Sequence, residues 1–409
     1  MRGFALRHTV EAALALLDEQ LHPLDDELIS VRMADGRVLA EAIASDVDVP
    51  GFDRATMDGY AVAAESTEGA ASYNPLPLTV LGDSLPGHPF HGSVGAGQAV
   101  RILTGAPVPA GADAIVIQEN VARDGATITV RDGTPERGHI RDKGFDFAAG
   151  DVLLDAGRRL GPREVSLAAA MGYGELPVRR RPRVAVLATG DELVPPGASP
   201  GPGQIIASNH LGVAALAEAN GADAHLLGIA RDTRESLDAH IAKAADADVI
   251  ITIGGASVGD HDLVAPVLEA RGMALSFWKI AMRPGKPLMF GRLGKSRVLG
   301  LPGNPVSAIV CGRVFLVPLI RALLGRPDSG QGLQAARAAV AVEANGPRTH
   351  YMRATSKPGA DGLPEVTPVR SQDSSLLAPL ALADCLLVRP ASAPAVPAGS
   401  PVSILPLDF

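Results

Sequence analysis

Apolar and polar positions change their rhythm several times along the chain. Over residues 9–20 the apolar residues recur with helical spacing, and Thr9 and Glu11 supply a cap and an acidic first turn. An amphipathic helix is predicted there. Residues 51–139 break into short β-type runs, 78–81, 99–103, 114–118 and 127–130, separated by glycine and proline. From 183 to 320 the pattern becomes longer. A continuous apolar run at 184–188 and further strands at 224–229, 249–253 and 298–301 alternate with helical stretches at 210–219, from about 233, near 261–271, and from 306. A further strand is expected near 287–290. Residues 328–409 return to short strands and proline-rich turns.

Strand–helix alternation with wholly apolar strands predicts a parallel sheet covered on both faces. The expected fold is therefore a multidomain α/β protein. A doubly wound, parallel-sheet domain occupies 181–327. A mixed N-terminal linker domain is built from 1–50 plus 140–180, with a small β domain, 51–139, inserted into it. A C-terminal β domain covers 328–409. Two helix starts are specified more closely. Asp232 can cap a helix with Glu235 completing a capping box, and Asn304 can cap one with Pro305 at its first position.

Composition narrows the classes. A chain of 409 residues exceeds one compact core. Hydrophobic residues make up 46% but aromatic ones only 3%, so Ala, Val, Leu and Ile must fill the cores. The net charge of −8 disfavours a nucleic-acid partner, which would select a basic face. The two cysteines, Cys311 and Cys385, form no C-x-x-C pair, so neither a disulfide scaffold nor a thiolate metal site is expected, and the cytoplasm is the expected compartment. The apolar stretch 12–17 is too short for a membrane, and no later window is read as a crossing.

In an open parallel sheet, ligands bind beyond the carboxyl ends of the strands. Four loops there carry unusual chemistry. Thr189-Gly190-Asp191-Glu192-Leu193 follows the first strand and offers Glu192 as a carboxylate for a metal or hydroxyl; a turn with an acidic cap fits equally. Gly254-Gly255-Ala256-Ser257-Val258-Gly259 lies between a strand and a helix, where backbone N–H groups and the helix dipole favour an anion. Pro302-Gly303-Asn304 opens the next helix in the same manner. Lys279, Arg283 and Lys286 place three cations within eight residues of an acidic chain. Beside two anion-type loops they suggest a phosphate or oxyanion site. The ten histidines show no metal-ligand spacing.

Outside that domain stands Met57-Asp58-Gly59-Tyr60-Ala61, followed by Thr104-Gly105-Ala106-Pro107-Val108-Pro109 and Gly111-Ala112-Asp113. With TGDEL, GG-x-SVG and LPGNP, these strings occur in an order and spacing that resemble the molybdopterin molybdenumtransferase (MoeA) family, over essentially the whole chain. The resemblance implies a four-domain homodimer. It implies a transferase that combines adenylylated molybdopterin with molybdate, with Mg²⁺, to give molybdenum cofactor and AMP. Transient contact with molybdopterin synthase or adenylyltransferase would follow. By the same resemblance Asp58, Glu192, Asp232 and Asp262 are catalytic carboxylates, the last three as metal ligands. Thr104, Gly254, Gly255, Ser257, Lys279, Arg283, Lys286, Pro302, Gly303, Asn304, Arg353 and Ser374 would contact substrate. Three positions depart from the family pattern: Arg283 replaces a common lysine, Ala207 an often acidic residue, and Asp373 a glycine.

Hard oxygen ligands such as Glu192, Asp232 and Asp262 suit Mg²⁺, while molybdate, an oxyanion, needs donors such as Lys279, Arg283 and Lys286. Asp58 would repel molybdate and is expected to orient a water or metal-bound oxygen at the reacting centre, reaching it from the partner subunit or from the inserted domain. Two other functions fit parts of the pattern. A molybdopterin adenylyltransferase shares the central fold, and a molybdopterin-binding scaffold would bind without turnover. The long β units and Asp58-Gly59 argue against the first, and the retained carboxylates and cations against the second.

Overall fold

The structure, a computed structural model, describes residues 8–18, 21–255, 263–326 and 332–408. Its centre is a sheet of six strands: β1 (Arg183–Thr189), β2 (Asp223–Ala230), β3 (Val249–Ile253), β4 (Ala274–Trp278), β5 (Met289–Leu293) and β6 (Ser296–Leu301). They stand in the order β2-β1-β3-β6-β5-β4. The four strands β2, β1, β3 and β6 are parallel, as expected. The edge is not: β5 runs antiparallel to β6, and β4 antiparallel to β5. Only Gly294 and Lys295 separate β5 from β6. A two-residue link permits a hairpin, whereas a parallel return needs a dozen residues or more. Gly294, at φ +57°, supplies the left-handed conformation such a turn favours.

Alternate residues of the parallel strands serve two cores. Val184, Val186, Ile251 and Leu299 join one with α1 (Asn209–Ala219) and α4 (Pro305–Cys311). Ala185, Leu187, Ile250 and Val298 join the other with α2 (Arg234–Ala242) and α3 (Val264–Ala270). The helical run continues from α4 through a π turn, Gly312–Leu316, to Leu323. Contrary to the sequence reading, this run Pro305–Leu323 is long and apolar enough to cross a membrane, with a mean hydropathy of 1.9. It is a core helix, 78% buried within the protein.

The N-terminal helix spans Val10–Asp18, and its Ala12 N–H donates to Thr9 Oγ1 at 3.1 Å. Its apolar side, Val10, Ala13 and Leu17, packs into the central core with α1 and α4. The chain then pairs Asp26–Ser30 with Glu175–Arg179 and Ile43–Ala44 with Val152–Leu154, both antiparallel. Segments on either side of residues 51–139 thus share one core, with Leu39, Ile43, Leu160, Leu176 and Val178 at its centre. Arg180 ties this unit to the central sheet. It grips Asp248 with two nitrogens at 2.7 and 2.8 Å, and Asp248 also accepts from the Arg183 N–H at the start of β1.

Between those segments lies a second six-stranded sheet, from Gly59–Val62 to Thr127–Val130. Gly59 is required there: a Cβ would sit 2.1 Å from the Val116 carbonyl oxygen across the ladder. The C-terminal strands Gln334–Ala338, Thr349–Pro358, Pro364–Pro368, Cys385–Arg389 and Pro401–Pro406 close into a ring. Met282–Arg283 from the central unit adds to it, parallel to Thr349 and His350.

Candidate functional site

A cleft of about 600 Å³ opens at the carboxyl ends of β1, β2, β3 and β6. The strand order turns back between β1 and β3, which is where an open α/β sheet leaves room for a ligand. Glu192 comes from the loop after β1, Asp232 from the end of β2, Gly254 and Gly255 from the end of β3, and Pro302, Gly303 and Asn304 from the end of β6. All seven were expected at a site, and all seven line one cleft. Gly254 has φ +95°, and a Cβ would meet the Thr189 carbonyl oxygen at 2.6 Å, so two strand ends can approach only because it is glycine. Ser257 and Asp262 lie outside the described residues.

The acidic wall is crowded. The Asp232 N–H reaches Asp191 Oδ1 at 3.3 Å. Partial burial, then the charges of Asp191 and Glu192, push the Asp232 carboxyl above its ordinary range. Asp232 does not cap α2 as the sequence suggested. Thr233 is the cap residue, extended at φ −126°, and its Oγ1 accepts from the Ser236 N–H at 3.2 Å. Asp232 is thereby left to face the cleft.

Asn304 also departs from its expected role. It sits at the cap position of α4 in extended geometry, but its side chain makes no cap bond. Nδ2 donates instead to Ser374 Oγ at 2.9 Å, and the Val306 N–H donates to the Ser374 carbonyl at 3.2 Å. The C-terminal ring is thus drawn to the cleft edge, where Ser375 and Leu377 join the lining. Asn209 and His210 line it as well, and Asn209 Nδ2 donates to the Gly303 carbonyl at 2.6 Å. Neither was assigned a role from the sequence. Ala207 is buried on the cleft wall, where a carboxylate would have added to the acidic crowd.

Arg353 lies behind the cleft edge, in the C-terminal ring. It is 1% exposed, and its guanidinium donates to the carbonyls of Leu376, Ser371 and Asp373 at 2.7–2.9 Å. Its backbone exchanges two 3.0 Å bonds with the Gln372 side chain. Arg353 therefore holds the loop that carries Ser374 and is not among the residues lining the cleft. Asp373 turns back on the same loop, accepting from the Ser375 N–H at 2.9 Å and the Ser375 hydroxyl at 2.8 Å, which keeps its carboxyl below the usual range.

The basic loop stands at the margin. None of Lys279, Arg283 and Lys286 lines the cleft, although Pro287 does. The loop is pinned on two sides: the Ala281 N–H donates to the His8 carbonyl, and the Thr349 N–H to the Ala281 carbonyl. Asp58 and Thr104 lie elsewhere, in the inserted sheet. Asp58 Oδ1 accepts from the Thr104 N–H and from its hydroxyl, each at 2.7 Å, and these bonds hold the carboxyl below its ordinary range, with help from Arg101. No cleft-lining residue comes from 51–139.

Comparison with known proteins decides the family. Residues 8–172 match the "MoeA N-terminal region (domain I and II)", residues 185–322 the "Probable molybdopterin binding domain", and residues 335–407 the "MoeA C-terminal region (domain IV)". The chain belongs to the molybdopterin molybdenumtransferase family. Its match to the molybdopterin molybdenumtransferase of Haemophilus influenzae is 36% identical over 408 residues, covering 98% of each chain. The family member from Nostoc is 37% identical over 78% of this chain and 74% of its own. A molybdopterin biosynthesis MoeA protein from Pyrococcus horikoshii, solved by crystallography, superposes with a TM-score of 0.85 at 32% identity, covering 99% of this chain and all of the other. In this family member the cleft falls almost wholly within the stretch matched to the molybdopterin-binding domain, and Ser375 and Leu377 bring in the C-terminal one.

Proposed function

We propose that the protein is a molybdenum insertase: it transfers molybdenum from molybdate to adenylylated molybdopterin, releasing AMP and forming molybdenum cofactor. The observation that carries this reading is the convergence of four strand-end loops on one cleft, with carboxylates on one wall and two glycine-bearing loops opposite. Backbone N–H groups at Gly255 and Gly303 suit the phosphate of an adenylate. Lys279, Arg283 and Lys286 stand outside the lining, on the loop that reaches the cleft at Pro287, and would supply from its margin the cations that an oxyanion substrate needs.

The carboxylate wall fits Mg²⁺. Glu192 and Asp232 are hard oxygen donors facing one space, and the raised Asp232 carboxyl marks negative charge that a divalent cation would relieve. Glu192 and Asp232 would hold the ion, which would neutralise the adenylate phosphate as AMP leaves. Asp58 orients a water at the reacting centre, and Thr104 fixes its carboxylate rotamer through two bonds to Oδ1. This reading includes a homodimer in the cytoplasm, whose reducing conditions suit two free, buried thiols, Cys311 and Cys385.

The test is single-turnover. Adenylylated molybdopterin, Mg²⁺ and molybdate are mixed with the protein, and AMP release and cofactor formation are followed together. Molybdate-dependent AMP release with cofactor formation is expected. Tight pterin binding without AMP release would replace this reading with that of a molybdopterin-binding scaffold.

A further inference from the structure

The cleft has an apolar side as well as a charged one. Leu193–Val194 and Ile205–Ile206 pair in parallel as a short ribbon beyond the end of β1. The Ile205 N–H donates to the Glu192 carbonyl and the Ala207 N–H to the Val194 carbonyl, each at 2.9 Å, so the ribbon is fastened directly beside the carboxylate wall. Leu193, Ile205, Ile206 and Ala207 all line the cleft. Ile205 and Ile206 are 56% and 46% exposed, large aliphatic side chains left open in the wall of a polar site. Ala207 continues their surface without adding a charge. None of the described lining residues is Phe, Tyr or Trp, so the isoleucine pair is the surface this cleft offers to a flat ring.

Position along the sheet decides which ring. The ribbon follows β1, whereas the basic loop joins β4 to β5 at the far edge of the order β2-β1-β3-β6-β5-β4. Because β4 is antiparallel to β5 and β5 to β6, that loop lies at the same end of the sheet as the cleft. Gly255 and Gly303, beyond the ends of β3 and β6, stand between the two. In the insertase reading, on which this inference rests, the cations meet molybdate at one end of the substrate and the glycine loops hold phosphate in the middle. The departing adenylate then extends toward β1, past the carboxylates that would hold Mg²⁺. Leu377, another exposed aliphatic residue of the lining, belongs to the opposite end, because its ring is joined to the basic loop where Met282–Arg283 pairs with Thr349 and His350. We propose that Ile205 and Ile206 seat the adenine ring of the adenylate and make the cleft select a nucleotide over a bare sugar phosphate.

Calorimetric titration of the full chain in Mg²⁺ tests this, with AMP and with ribose 5-phosphate, which keeps the sugar and phosphate but lacks the ring. The parent is expected to bind AMP more tightly than ribose 5-phosphate. Ile205→Thr/Ile206→Thr keeps the β-branched shape that suits a strand and removes apolar surface. It is expected to weaken AMP binding at least about fivefold, with the affinity for ribose 5-phosphate and Tm little changed. Should Tm fall, Ile205→Val/Ile206→Val is the milder variant, expected to weaken AMP alone by about twofold. Unaltered AMP affinity, or an equal loss for AMP and ribose 5-phosphate, would overturn the proposal. So would a loss confined to neopterin, which would give the ribbon to the pterin ring. These titrations need no turnover. A protein that shows the expected binding pattern but no molybdate-dependent AMP release would lose the insertase reading and keep the adenine seat.

Discussion

Arg353 illustrates how one residue type can serve two purposes that sequence cannot separate. An arginine in a family motif suggests an oxyanion contact, yet here its charge is spent on three carbonyls of the loop 371–376. Nothing in the local string reports burial, because the acceptors lie about twenty residues away. Arg353→Met is expected to destabilise the protein by roughly 2–4 kcal/mol, from buried carbonyls left without donors. Thermal denaturation with molybdate-binding titrations separates the roles: unchanged stability with weakened molybdate binding would restore a contact role. His350 offers a second test. It is 8% exposed, and burial, followed by the charges of Arg283 and Arg348, pushes its pKa down to about 4. The fold thus holds a neutral imidazole, while the unfolded chain takes up a proton near pH 6.5. The stability this provides is complete above about pH 6.5 and is lost as pH falls toward 4, about 2 kcal/mol of it by pH 5. His350→Gln is expected to flatten the stability profile between pH 7 and 5. An equally steep profile in the variant would assign the acid sensitivity to other groups.

At the scale of elements, the inner strands β1, β3 and β6 were legible because apolar runs of four to five residues fit a strand buried on both faces. The site loops were legible for a related reason: glycine at a strand's end tells where another backbone must come close, as Gly254 does to Thr189. The antiparallel edge was not legible from apolarity alone. It follows from the Gly294-Lys295 link, which is too short for anything but a hairpin. One helix cap was shifted by a single residue, since Thr233 and Asp232 are both competent and geometry selects one. The basic loop shows the limit most clearly. Three cations in eight residues promised a site, but they stand outside the cleft lining on a loop pinned to His8 and Thr349. Under the insertase reading, Lys279→Ala and Lys286→Ala should each cost roughly 1.5–3 kcal/mol of ligand binding, while Tm changes little. Calorimetric titration with molybdate and with pterin checks this. Unaltered affinity in both variants would reduce the loop to a connector between the central unit and the C-terminal ring.

At the scale of the molecule, Asp58 and Thr104 are bonded to each other in the inserted sheet, and no residue of that sheet lines the cleft of the same chain. If Asp58 acts on the ligand, a second copy must bring it there. Phe52 and Met57, which precede Asp58, are 46% and 41% exposed, the kind of apolar surface a partner would cover. A closed two-fold dimer supplies two equivalent contacts, each joining one copy's inserted sheet to the other's cleft. This predicts complementation between two inactive variants. Asp58→Asn is nearly isosteric, should fold, and is expected to lose at least ~10²-fold in single-turnover AMP release. Glu192→Gln, on the cleft wall, is expected to be similarly impaired. When the two are unfolded together and refolded in equal amounts, half the dimers are mixed, and in each of these one site has both carboxylates intact. About a quarter of the parent activity should return under random pairing. Sites assembled within one chain would give no recovery, because every chain in the mixture lacks one of the two groups. Light scattering on the refolded mixture is the control. A monomer mass at micromolar concentration, or a dimer mass without recovery, would end the shared-site model and leave Asp58 as a turn residue of the inserted sheet.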